Sequence, residues 1–200
     1  MKDIYEEWRS YENEEILLRP VQREDAKSLL KVYSDEKARQ FFNCDNFETP
    51  CYFDTLEQMQ AELEFYLDSY KNRWFVRWSI VEKKSTEVVG TIELFQRIAR
   101  DEKTGERRDA FDGRGILRMD IRSDWENTDF IKSLLSLVLQ RGYRDFGVQV
   151  IATKIPPQAV ARAKAAQECG FEKSDETIGA NLGGQQYGDY WIRENATGGC

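Results

Sequence analysis

The 200-residue chain contains no histidine. That absence removes histidine-based triads and histidine general bases. Any proton transfer must therefore use Asp, Glu, Tyr, Cys, Lys or a chain of waters. It also removes mixed Cys/His zinc sites, and Cys44, Cys51, Cys169 and Cys200 form no CxxC pair, so no metal site is expected. Long apolar runs are missing: no segment approaches the ~20 residues of a membrane span, so no membrane partner is expected. The opening Met1-Lys-Asp-Ile-Tyr-Glu-Glu-Trp8 is too acidic for a signal peptide, which makes the cytoplasm the expected location. A Cys44–Cys51 bridge is conceivable, but a reducing compartment favours free thiols. Excess positive charge is absent too. With 29 Lys+Arg against 36 Asp+Glu the net charge is −7, the opposite of a nucleic-acid footprint, and no nucleic-acid partner is expected.

What is present reads as one α/β domain over residues 1–200, with a core of about 14–193, an extension or first helix at 1–13 and a tail at 194–200. Glu15 to Val21 predicts a strand. Arg23 to Tyr33 predicts a helix, with Ala26, Leu29, Leu30 and Tyr33 on one face. Phe41 to Pro50 reads as a loop. Thr55 to Tyr70 predicts a second helix, capped by Asp54 or Thr55. Trp74 to Glu82 and Val88 to Phe95 alternate like strands around a short polar connection, which implies a hairpin. Arg97 to Arg114 is dense in both charges and reads as a long solvated hairpin loop. Then come a strand at Gly115 to Ile121, an apolar helix at Phe130 to Phe146 and a strand at Val148 to Thr153. An alanine-rich helix at Ala159 to Cys169 stops at Gly170. Gly183-Gly184 lies between two final strand candidates, of which Tyr187 to Arg193 is the better. This order suggests a mixed, mostly antiparallel sheet with helices on both faces.

Several segments, in this order, resemble the GNAT N-acetyltransferase superfamily, and within it the RimJ/RimL-like branch of ribosomal-protein N-terminal acetyltransferases. They are Ile16-Leu-Leu-Arg-Pro-Val21 with Asp25-Ala26, Trp78-Ser-Ile-Val81 with Val89-Gly-Thr-Ile-Glu-Leu94, Gln167-Glu-Cys-Gly-Phe171 and Gln186-Tyr-Gly-Asp-Tyr-Trp-Ile192. The resemblance covers about residues 14–193. It implies a twisted sheet with a splayed central strand pair, acetyl-CoA as cofactor and an amine acceptor, either a peptide N-terminus or a small molecule. In that family a glycine-bearing loop cradles the cofactor pyrophosphate at a helix N-terminus, because glycines let backbone amides approach the anion. The matching stretch, Ile121 to Leu135, has no glycine. Glu126 replaces a cation or amide, Asp129 the first glycine and Ile131 the glycine or alanine. Ala159 and Ala166 stand where many members carry Asn and Tyr, and Ile116 where the branch often has Glu.

The resemblance places Met119 and Ile121 as backbone contacts to a thioester. Asn127, Thr128, Asp129, Phe130 and Ile131 become the cofactor loop. Asp120 and Glu93 are the candidate bases, acting through water; the bland alternatives are Asp120 paired with Arg118 or Arg122, and Glu93 solvated. Glu126 and Asp129 alternatively cap a helix that meets no phosphate. Trp74, Phe75, Trp78, Phe95 and Trp125 are either core or an acceptor cleft. The expected function is a GNAT-type N-acetyltransferase; the alternatives are a catalytically inactive GNAT-like binding or regulatory module and a GNAT fold holding another ligand in the same cleft. The discriminator is whether the cleft between the 115–121 and 148–153 strands is open, or filled by Phe130 and Ile131.

Overall fold

The computed structural model describes residues 3–45, 51–100, 107–179 and 186–195. The order is β1 (Tyr11–Glu12), β2 (Ile16–Pro20), a single 3-10 turn (Arg23–Asp25), α1 (Ala26–Tyr33), α2 (Glu36–Arg39), α3 (Leu56–Lys71), β3 (Val76–Glu82), β4 (Glu87–Arg100) and β5 (Arg107–Ile121). It continues with α4 (Thr128–Phe146), β6 (Val150–Lys154), α5 (Val160–Glu168), β7 (Glu172–Lys173), β8 (Ile178–Gly179), β9 (Gln186–Tyr187) and β10 (Tyr190–Glu194). Eight strands form a sheet in the order β1-β2-β3-β4-β5-β6-β10-β7, while β8 and β9 pair separately. The β5–β6 pair is parallel and the other pairs are antiparallel, which is the mixed sheet expected.

Alternation along the strands gives the two faces different chemistry. Val76, Trp78 and Ile80 of β3, Ile92 and Leu94 of β4 and Leu117, Met119 and Ile121 of β5 join α4 and α5 in the larger apolar core. The intervening Arg77, Ser79, Thr91, Glu93, Arg118 and Asp120 are also buried, and form a polar layer on the other face. On that side Val32, Tyr33, Met59, Leu63 and Tyr66 of α1 and α3 make a second core. Helices thus cover both faces.

Two motif residues have structural explanations. Asp25 accepts from both terminal nitrogens of Arg19, at 2.8 and 2.6 Å, and from Ser79 Oγ at 2.6 Å, locking the start of α1 to the sheet. Gly90 lies where a Cβ would sit 2.4 Å from the Asp120 carbonyl oxygen, so only glycine allows β4 and β5 to approach there.

Residues 3–13, read as an extension or a first helix, contain no helix; Ile4 and Tyr11 are buried, Trp8 stacks on Tyr70 at 4.1 Å and Trp78 Nε1 donates to Arg9 O. Three local expectations differ. The short α2 interrupts the connection after α1, with the Asp35 side chain as its cap. The 97–114 segment is strand as far as Arg100 and again from Arg107, with Ile98 opposite Phe111, because cross-strand pairing overrides its charge density. Cys44 and Cys51, expected free, are joined, with Cα atoms 5.7 Å apart. Gly183-Gly184 and part of the Phe41–Pro50 loop lie outside the described residues.

Candidate active site

The sheet opens at its centre. β5 pairs with β6 from Arg114–Val150 to Leu117–Thr153 and no further, whereas its pairing with β4 runs on to Ile121 opposite Gly90. Residues 118–121 of β5 therefore have a strand neighbour on one side only. β6 turns away toward β10: Lys154 faces Tyr190, and Ile155 N donates to Asp189 O at 2.9 Å. Pro156 and Pro157 follow, and with no amide hydrogens they cannot extend the ladder. The result is a wedge between the two strand ends, with α5 starting over it.

The wedge is sealed from both faces by ion pairs. On the α5 side Arg162 is almost completely buried, at 2% exposure. Its Nη1 donates to Met119 O at 3.0 Å and to Phe41 O at 2.8 Å. Its Nε and Nη2 donate to the two carboxylate oxygens of Glu126, at 2.6 and 2.9 Å. This fork-on-fork geometry is what a buried guanidinium needs to offset its desolvation. On the opposite side Asp45 bridges the strand ends. Its backbone oxygen accepts from Arg118 Nη2 of β5 at 3.0 Å, and its carboxylate accepts from Lys154 Nζ of β6 at 2.5 Å and from Tyr190 OH at 3.1 Å. Burial, then the charge of Asp45, pushes the Tyr190 phenol up to about 12.

Outside the Glu126–Arg162 pair lies a cavity of about 370 Å3, lined by Lys37, Phe41, Ser123, Glu126, Gln158 and Ala159 among others. Its loop wall is already committed. Ser123 N donates to Asp35 Oδ2 at 2.8 Å. Burial of Asp35 opposes its charge, but the bonds from Ser123 and from the Ala38 and Lys37 amides outweigh burial and hold the carboxyl below its usual range. Asn127 caps α4 by accepting from Phe130 N at 3.0 Å. Thr128 and Asp129 begin the helix, whose first amides lack intrahelical partners by construction.

The sequence-derived candidates separate into three groups. Asn127, Thr128 and Asp129 stand at the start of α4 but do not line this cavity; Asn127 and Asp129 line a separate one with Glu14, Glu15, Glu82 and Lys84. Phe130 and Ile131 are buried in the main core with Met119 and Ile121, Phe130 packs on Trp125 at 4.9 Å, and Arg162 reaches the wedge at Met119 O. Met119 reaches the wedge with its carbonyl, already claimed by Arg162, while Ile121 is buried at the end of β5. Glu126 does not cap α4; it neutralises Arg162.

Asp120 and Glu93 come together in the polar layer through Arg77. Arg77 Nε and Nη2 donate to Glu93 Oε2 at 2.9 and 2.5 Å, and its Nη1 donates to Asp120 Oδ2 at 3.1 Å. Tyr33 OH also donates to Asp120 Oδ2 at 2.8 Å, and Arg118 Nη1 to Glu93 Oε1 at 3.1 Å. Burial opposes the charge on Arg77, but Glu93, Tyr66, Tyr33 and Asp120 outweigh it and raise its pKa further. Burial also drives the Tyr33 phenol far above its ordinary value. Asp120 thus pairs with neither Arg118 nor Arg122; Arg122 binds Glu87 and Asp124 instead. Glu93 is buried, not solvated.

Of the aromatic set, Trp78 is core and Trp74 is exposed. Phe95 lies beneath the Arg118 guanidinium at 5.1 Å, on the Asp45 side of the wedge. Arg162, Asp45 and Arg77 had not been singled out from the sequence, and Tyr33 had been placed only on the apolar face of its helix. The signal for Arg162 was available: with Ala165 and Ala166 at i+3 and i+4 it falls on the buried face of α5.

A mixed sheet that splays at its central parallel pair, with helices starting beside the opening, defines an acyltransferase-type fold. An acetyltransferase (GNAT) domain pattern matches residues 15–172, and the chain belongs to that family. It is thereby placed among acetyl-CoA-dependent N-acetyltransferases, with its acceptor amine unspecified. The uncharacterized N-acetyltransferase YoaA of Bacillus subtilis (strain 168) is 22% identical over 162 residues, 81% of this chain and 82% of that protein. The ribosomal-protein-S5-alanine acetyltransferase from Vibrio fischeri superposes with a TM-score of 0.67 at 15% identity, covering 94% of this chain and 98% of its own. The microcin C7 self-immunity acetyltransferase MccE, solved with acetyl-CoA and AMP, superposes with a TM-score of 0.65 at 14% identity, covering 92% and 94%. At these identities the structural likeness is one of fold. No helix among the described residues is long and apolar enough to cross a membrane.

Proposed function

We propose that the chain acetylates a protein N-terminus, drawing on acetyl-CoA laid in the groove between the 122–127 loop and α5. The splay of β5 from β6 carries this reading. It leaves one strand edge beside a cavity lined by Lys37 and by the start of α5 at Ala159 and Val160. The amine would arrive from the opposite face, at Asp45, Lys154 and Tyr190. A structural neighbour named for a ribosomal-protein alanine supports a peptide acceptor. On this reading Asp120 and Glu93 serve as counter-ions of Arg77 and Arg118, which fix the Asp45 side of the wedge.

The outer groove is an open cavity of about 370 Å3; the inner wedge is filled. Arg162 holds the Met119 carbonyl, and Glu126 presents a carboxylate where the family's phosphates lie. That observation favours a second reading, a GNAT fold kept as a binding module with its cofactor cleft shut. Calorimetric titration with acetyl-CoA, with desulfo-CoA and free adenine nucleotide as controls, separates the two. Micromolar saturable binding, followed by acetylation of a peptide N-terminus library, supports the enzyme. No binding at millimolar cofactor refutes it.

A further inference from the structure

We propose that Glu126 is a latch, an internal carboxylate that exchanges with a ligand phosphate for the guanidinium of Arg162. The inference deepens the reading above and rests on it for the identity of the ligand. Glu126 lines the cavity and Arg162 does not, so the carboxylate stands between the guanidinium and the space a ligand would enter. The Arg162–Glu126 contact is bidentate, with side-chain exposures of 2% and 8%. A phosphate presents the same spacing of anionic oxygens and suits the same fork. Exchange leaves Arg162 neutralised at every stage, and Glu126 is released toward the cavity it already lines.

The latch also explains how a loop without glycine could serve a pyrophosphate. Glycine-rich loops bring backbone amides to the anion. Here Asp35 takes the Ser123 amide and Asn127 takes that of Phe130. Arg162 supplies Nε and Nη2, now on Glu126, in place of those amides, while Nη1 stays on Met119 O and Phe41 O. The phosphate site is thus moved from the loop to the first turn of α5.

The test is calorimetry of the full-length chain with CoA and with inorganic pyrophosphate, paired with thermal melting. Glu126→Gln removes the competing charge and keeps one hydrogen bond to Arg162. It should bind CoA about tenfold tighter than wild type, because a larger fraction of the protein is competent to bind. Pyrophosphate should raise its melting temperature more than that of wild type. Glu126→Gln with Arg162→Met should lose the whole gain. If Glu126→Gln does not fold, Glu126→Asp draws the carboxylate back by one methylene and should give a smaller gain in the same direction. A Glu126→Gln protein that binds no tighter than wild type, while wild type binds, overturns the latch and leaves the acetyltransferase reading standing. Tight binding by Glu126→Gln with none by wild type supports the latch and refutes cofactor use by the native chain. A double variant that keeps the gain, or no binding by any form, overturns the latch.

Discussion

Arg77→Met is the sharpest perturbation of the polar layer. Arg77 is the shared counter-ion of Glu93 and Asp120, and their side chains are 4%, 1% and 8% exposed. Methionine fills a similar volume but leaves the pair without its common cation. Arg118 still reaches Glu93, and Tyr33 still reaches Asp120, so part of the loss is absorbed locally. Removing one partner of a buried ion pair costs about 3–5 kcal/mol, because the remaining charge stays desolvated. At roughly 2–4 °C per kcal/mol for a domain of this size, the melting temperature should fall by about 10 °C. Equilibrium urea unfolding should show the loss in the midpoint with the slope preserved. The cause is then isolated by adding Asp120→Asn to Arg77→Met, which neutralises the carboxylate left with only Tyr33 while Glu93 keeps Arg118, and should recover at least about 1 kcal/mol. A single substitution costing under about 1 kcal/mol, or a double variant no more stable than the single one, would falsify the account of Arg77 as their charge partner.

Gly90→Ala should cost about 2–3 kcal/mol, since its Cβ would meet the Asp120 backbone oxygen at 2.4 Å and one strand must shift. Gly188→Ala, with nothing within 4 Å, is the control and should unfold like wild type in the same denaturant series. Asn127→Ala removes the side-chain cap on Phe130 N and should lower stability by about 1 kcal/mol, read from the urea midpoint. Glu87 is held at about 2 against its ordinary 4.5, first by its hydrogen bonds from Arg122 and then by those from Lys31. A depressed carboxyl stabilises the fold above its unfolded pKa, so this contribution is complete above about pH 5 and disappears as pH falls toward 2. The full shift would be worth about 3.4 kcal/mol, but Glu87 is 28% exposed and Lys31 63%. Solvent screening reduces the expectation to about 1–2 kcal/mol. Glu87→Gln should therefore lose that much at pH 7 and show a shallower acid limb; an unchanged limb would contradict the pairing.

The long elements were legible because local pattern and tertiary burial agree in them. α3 follows its apolar spacing with Thr55 as cap, and α4 buries Phe130, Ile131, Leu134, Leu135 and Val138 as their periodicity requires. α2 was not, since four residues hold no apolar period and only Asp35 announces them. The extension of β4 and β5 through the charged segment depends on each strand finding the other, which no local window contains. The site divides in the same way. The family resemblance pointed to Asp120 and Glu93, but it cannot say that Arg77 on β3 supplies the positive charge between them. Asp45 had no signal at all: it is a single carboxylate in a loop, given meaning by Arg118, Lys154 and Tyr190 from three other places in the chain.

Glu126 and Arg162 carry that lesson furthest. Taken alone, an acidic residue in a phosphate loop argues against an anionic ligand. Taken alone, an arginine on the buried face of an alanine-rich helix is a costly charge in an apolar core. Together they cancel. The guanidinium must have an anion, and the loop provides one at 2.6 and 2.9 Å. The departure of the loop from the family pattern and the arginine in α5 are therefore one feature, separated by 36 residues in the chain and joined across the wedge. Since Arg162 requires one carboxylate or phosphate and is indifferent to whether it is covalently attached, an acidic loop does not by itself set the wedge against phosphates. What it sets is a competition, decided by the affinity of the ligand against the effective concentration of a side chain already in place.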